Sequence, residues 1–143
     1  MTTPRPGPAH ALHAGVVQLL VRLTAAPGRV EDMLRALSSI RMTAHLESGC
    51  RYTYAGVDAD EPDICFYLEE WADSNLLDRR LHSVSFRALL MLMESSIVSP
   101  FLEIRGVSEI GGLEYVARAC GEQKEDTGAG AAREATHRVP RTR

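Results

Sequence analysis

The stretch CRYTYAGVDADEPDICFYLEEW, residues 50–71, decides the fold. Cys50 to Val57 carries Tyr52 and Tyr54, and Ile64 to Trp71 is rich in aromatic and aliphatic residues, the composition of short strands. Between them, Asp58-Ala59-Asp60-Glu61-Pro62-Asp63 crowds carboxylates around a proline, which has no N–H to give to a strand ladder. The stretch therefore reads as a β-hairpin.

Upstream, Val16 to Thr24 alternates Val17, Leu19, Val21 and Leu23 against Gln18, Arg22 and Thr24, which predicts a first strand. Pro27 is placed at a first helical position, with Glu31 and Asp32 in the opening turn. Val30, Met33, Leu34, Leu37 and Ile40 then repeat at helical spacing, so an amphipathic helix is expected to run to Ser48-Gly49. Downstream, Asp73 or Ser74 caps a helix through Leu76, Leu77 and Leu81, with a break at His82-Ser83. Phe86, Leu89, Leu90, Met93 and Ile97 resume the helical period, and Leu89, Leu90, Met91 and Met93 read as a core-facing stripe. Phe101 to Val107 alternates as a fourth strand, and Leu113 to Ala119 is expected as a short terminal helix.

The order β-α-β-β-α-β defines an α+β, ferredoxin-like arrangement with an antiparallel sheet and helices on one face. Leu20, Phe66 and Leu68 fall on the other, bare face, an apolar surface suited to a homodimer with the two sheets face to face. Residues 15–119 are read as the folded domain. Residues 1–14, with Pro4, Pro6 and Pro8, are read as a flexible arm, and residues 120–143, without aromatic side chains, as a disordered tail.

Composition sets outer limits. With 45% hydrophobic and 24% charged residues, the 143-residue chain can bury a core without disulfides or metal. A net charge of -3 supplies no general attraction to nucleic acid or anionic membrane. Three cysteines, Cys50, Cys65 and Cys120, make an odd set without CxxC spacing, which fits a reducing cytoplasm. No signal-peptide pattern opens the chain, and no apolar run approaches the roughly 20 residues that cross a bilayer.

Three blocks carry a family resemblance. Leu23-Thr24-Ala25-Ala26-Pro27-Gly28-Arg29 resembles the strand-to-helix entry of antibiotic biosynthesis monooxygenase proteins, and Glu47-Ser48-Gly49-Cys50 is similar to their Glu-Pro-Gly-Cys turn. Glu69-Glu70-Trp71-Ala72-Asp73, followed by Leu81-His82-Ser83-Val84-Ser85-Phe86, resembles their Glu-x-Trp block and downstream His-Leu-x-Ser-x-His-Phe segment. The resemblance implies a dimeric α/β barrel with one pocket per subunit, between the helices and the helix-side sheet face. It also implies oxygenation of a small aromatic molecule (an anthrone, a quinol or a related phenol) without metal, flavin or haem. In that chemistry a base deprotonates the ring and the carbanion passes an electron to dioxygen.

The chain departs from the family pattern at several places. Arg80 and Ser85 stand where two histidines are frequent, with His82 between them. Val21 and Tyr67 stand at asparagine positions, and Val21, Arg80 and Leu90 replace the Asn, Trp and His set of haem-degrading relatives, which argues against haem degradation. Trp71 carries over directly.

Trp71, Tyr67, Glu69 and Cys65 share one strand face. Trp71 can stack on an aromatic substrate or seal the core. Glu69 is either a desolvated base or an edge residue reaching solvent or paired with an arginine such as Arg22. His82 is either a proton carrier or a surface residue at a helix junction, and Arg80 is a candidate to steady an oxyanion. The candidate catalytic residues are thus Glu69 and His82, and the candidate substrate-binding residues are Trp71, Tyr67, Val21 and Arg80. Tyr52 and Tyr54 offer further phenols or strand packing. His45 is placed against the helix-end carbonyls. No metal site is expected: His10 and His13 lack partners, and the Asp58–Asp63 run lacks EF-hand spacing. The second functional reading is a non-catalytic dimeric barrel that binds a small apolar ligand.

Overall fold

A computed structural model describes residues 15–121. Its elements are β1 (Val17–Thr24), α1 (Val30–His45), β2 (Cys50–Val57), β3 (Ile64–Trp71), α2 (Ser74–Leu81), α3 (Val84–Glu94) and β4 (Phe101–Gly106). The strands form one antiparallel sheet in the order β2-β3-β1-β4. This is the α+β, ferredoxin-like fold expected from the sequence. The expected 1–14 arm, and the expected tail beyond residue 121, lie outside the described residues.

Local chemistry sets the boundaries. Pro27 does not open α1: it occupies a turn in which the Arg29 N–H donates to the Ala26 carbonyl at 2.9 Å and Gly28 takes φ +76. Proline followed by a positive-φ glycine favours that turn over a first helical residue, so α1 starts at Val30. At its other end α1 stops at His45, earlier than expected, because Gly49 adopts φ +88 and turns the chain into β2. The Gly49 carbonyl accepts from the Ala72 N–H at 2.9 Å, tying this turn to the end of β3. Asp73 caps α2 by accepting from the Leu76 N–H at 2.9 Å, and Ser83 caps α3 by accepting from the Phe86 N–H at 3.2 Å. The second cap accounts for the break between the two helices.

Alternation sorts the sheet into two faces. Val17, Leu19, Val21 and Leu23 of β1, with Cys65, Tyr67, Glu69 and Trp71 of β3, are buried on the helix side. Met33, Leu37 and Ile40 of α1, Leu77 of α2, and Phe86 and Leu89 of α3 close over them. The opposite face holds Leu20, Phe66 and Leu68, with Tyr52, Tyr54 and Phe101 exposed beside them. The expected Leu89-to-Met93 stripe is only partly inside: Leu89 is buried, whereas Leu90 and Met91 turn to solvent. Leu89 to Met93 covers five consecutive positions, more than one turn, which cannot all share a face.

Residues 15–108 form one compact unit, and a second begins at Glu109. Within the second, residues 113–121 are helical, and the Gly112 carbonyl accepts from the Tyr115 N–H at 3.0 Å. Among the described residues, no helix is long and apolar enough to cross a membrane.

Candidate functional site

The alternation of β3 points Tyr67, Glu69 and Trp71 into the helix-side core, and a buried cluster is built around Glu69, whose side chain is 0% exposed. The Tyr67 hydroxyl donates to Glu69 Oε1 at 2.6 Å, and the Trp71 indole N–H donates to Glu69 Oε2 at 3.0 Å. Arg80, in the last turn of α2 and also 0% exposed, donates from Nη2 to Glu69 Oε1 at 2.9 Å. Its Nε–H is shared between the two oxygens at 3.2 and 3.3 Å. The remaining nitrogen, Nη1, reaches Glu47 Oε1 at 3.1 Å and the hydroxyls of Ser83 and Ser85. Ser85 in turn donates to Glu47 Oε1 at 3.1 Å. The guanidinium also lies 5.7 Å from the Phe86 ring centre, a cation–π distance.

One arginine thus joins the α1–β2 turn, β3, the end of α2 and the start of α3. Planar guanidinium geometry permits this; a lysine point charge would not span both carboxylates. A carboxylate offers about four lone-pair positions, and Glu69 receives Tyr67, Trp71 and two nitrogens of Arg80. No position is left for a substrate proton. Glu69 therefore reaches no solvent and does not pair with Arg22, which sits on the opposite sheet face. Glu47 differs: its side chain is 30% exposed, and its side-chain hydrogen bonds fall on Oε1.

The charges act on their neighbours. Burial, then the negative charge of Glu69 and its hydrogen bond, hold the Tyr67 phenol well above the usual tyrosine range. Burial alone would lower Arg80, but the hydrogen bond and charge of Glu69 outweigh it and hold the guanidinium above its ordinary value. Burial, then Glu69, pushes the Cys50 thiol up to about 11. Cys65 is raised by burial.

The model of the family described as antibiotic biosynthesis monooxygenase matches residues 17–90, which take in every residue of this cluster. The chain belongs to the antibiotic biosynthesis monooxygenase family. Solved structures agree in fold. A conserved protein from Methanosarcina mazei is 21% identical at TM-score 0.59, over 65% of this chain and 93% of its own. A Pseudomonas aeruginosa protein is 21% identical at TM-score 0.58, over 68% and 99%. A structure described as an antibiotic biosynthesis monooxygenase is 16% identical at TM-score 0.57, over 65% and 99%. No curated protein matches the chain.

Within this family member the candidate residues separate. Tyr67, Glu69, Trp71 and Arg80 come together, and Val21 is buried beside them, opposite Tyr67 in the β1–β3 register. His82 does not join: it is exposed, and its Nδ1 lies 2.7 Å from the Asp78 carbonyl at the end of α2. Tyr52 and Tyr54 are separated from Tyr67 by the sheet itself, because a register shift between Cys50 and Tyr52 places them on the bare face. Asp58 accepts the N–H groups of Asp60 and Glu61 at 2.8 and 2.9 Å, the solvated turn that was expected. His10 and His13 lie outside the described residues. No group of three or more potential metal ligands occurs among the described residues.

Sequence reasoning missed the part played by Glu47 and Ser85 as cluster members. The available signal was their place in the blocks carrying the family resemblance, which converge on one point. It also missed Thr53, whose buried hydroxyl lies in register with Glu69 and has no partner among the described residues.

Proposed function

We propose that the chain is a homodimeric, cofactor-independent oxygenase of its family, acting on a small phenolic, quinol or anthrone-type molecule at the Trp71 side of the core. The observation that supports this is the family match over residues 17–90, which contains the converging set Glu47, Glu69, Trp71, Arg80 and Ser85. Glu47, Glu69 and Arg80 together carry one net negative charge, so a substrate enters neutral and gives up its proton inside. Glu69 has no free lone pair, which leaves Glu47, with its uncommitted Oε2, as the acceptor. For an anthrone CH₂, the carbanion passes one electron to dioxygen, and the radicals combine to form a C–O bond. The resulting peroxide loses water to leave a carbonyl, so one oxygen atom enters the product and the other leaves with the two hydrogens. Trp71 supplies a flat apolar wall, and the buried surroundings exclude bulk water.

Two copies packing the Leu20, Phe66 and Leu68 face would cover the bare side of the sheet. The free thiols of Cys50 and Cys65 suit a reducing cytoplasm.

The second reading, a non-catalytic dimeric barrel that binds a small apolar ligand, is favoured by one observation: Tyr67 and Trp71 are each 1% exposed, so the core is closed over them. Oxygen uptake by metal-stripped protein with a panel of quinols and anthrones separates the two. The oxygenase reading expects turnover that survives chelation and falls at least tenfold in Trp71→Ala and Glu47→Gln. Uptake at the autoxidation rate throughout, with retained binding of the same molecules, would establish the second reading.

A further inference from the structure

We propose that α2 is a lid over the Trp71 side of the core, with Arg80 as its bolt and Glu47 as the outer catch. This rests on placing the small-molecule site at Trp71, but its test needs no substrate.

Trp71, Tyr67 and Glu69 are closed off from solvent, and α2 follows directly after Trp71 through the Asp73 cap. Only Leu77 and Arg80 of its residues are buried. Leu76 adds a contact from above, its side chain lying where a Cβ on Gly49 would have to go. A helix of 8 residues is too short to be stable without tertiary support, so these few anchors decide whether it stays docked. Arg80 is the strongest of them. Its inner side grips Glu69, which is buried, and its outer side grips Glu47, which reaches solvent. The inner contacts cannot exchange with water while the helix is seated. The outer one can, and Ser85 shares it. Asp73 caps α2 and Ser83 caps α3, so each helix keeps its own N-terminal hydrogen bond if α2 swings out.

Arg80 also explains why such a lid stays shut at rest. Opening would strip Glu69 of its guanidinium, which makes the open state rare; a ligand group that donates a hydrogen bond to Glu69 would offset part of that loss.

The test is amide hydrogen exchange by mass spectrometry on the full chain, together with acrylamide quenching of Trp71, the single tryptophan. Wild type is compared with Glu47→Gln and Ser85→Ala, which loosen the catch and leave Glu69 untouched. Losing one charge-assisted hydrogen bond should raise exchange of residues 74–81 about tenfold in Glu47→Gln and less in Ser85→Ala. Trp71 quenching should rise in parallel, while β1 and α1 exchange at the wild-type rate. Unchanged exchange over residues 74–81 overturns the proposal. So does a rise shared equally by β1 and α1, because that is loss of global stability rather than opening of α2. Absence of oxygen uptake would leave these readouts unaffected.

Discussion

Replacing Arg80 by methionine tests whether the Glu69 cluster holds the core together. The two side chains are both 0% exposed and 2.9 Å apart, so Arg80→Met leaves a buried carboxylate with only the Tyr67 hydroxyl and Trp71 N–H. Breaking a buried pair from one side costs about 3–5 kcal/mol. Methionine recovers much of the volume, so little is added for a cavity, but the contact with Phe86 is lost, worth roughly 0.5–1 kcal/mol. A loss of about 4 kcal/mol would consume a large share of the 5–15 kcal/mol typical of a small domain. Adding Glu69→Leu removes the stranded charge and orphans two donors, at about 1–3 kcal/mol each. The double variant should therefore be less destabilised than the sum of the singles, with a coupling of at least about 2 kcal/mol. Urea unfolding followed by Trp71 fluorescence and circular dichroism, at one fixed protein concentration, measures all three. A cost below about 1 kcal/mol for Arg80→Met, or strict additivity, would refute the reasoning.

Other expectations concern the Gly49 turn, the titrating groups and the bare sheet face. Gly49→Ala should cost about 1–3 kcal/mol by thermal denaturation, because φ is +88 and the new Cβ would stand 2.3 Å from Leu76 Cδ1. Alkylation of Cys50 should lag behind that of exposed Cys120 and accelerate only as pH approaches about 11, since the thiolate is the nucleophile; equal rates at pH 8 would contradict this. The sign for stability follows. Cys50 and Tyr67 hold their protons more tightly when folded, so stability should fall as pH rises above their unfolded values, less steeply in Tyr67→Phe. Leu68→Arg on the bare face should convert a homodimer to monomer in gel filtration with light scattering; a monomeric wild type would remove the dimer reading.

The elements were legible because their signals are local. β2 and β3 begin and end where strand composition and Pro62 place them, and the helix break expected at His82-Ser83 falls where Ser83 caps α3. What could not be read was which side chain from one element reaches the centre of another. A bulge at Arg51 leaves no compositional mark, yet it sends Tyr52 and Tyr54 to the face away from Tyr67. Asp78-Arg79-Arg80 is a charge run, and the family position of Arg80 with its three-residue spacing from Leu77 points the last arginine inward without naming its partners. Faces follow from periodicity, but partners follow from helix placement, which depends on turns such as Gly49 and on the whole sheet. The charged groups of this core are therefore intelligible only as a set. Glu69 needs Arg80 to be buried, and Arg80 needs Glu47 and Ser85 to use its remaining donors. A substitution that appears conservative at one of these positions must be judged by the hydrogen bonds it strands at the others. Arg80→Lys keeps the charge but cannot hold Glu69 and Glu47 together, and it should loosen α2 even where it preserves the fold.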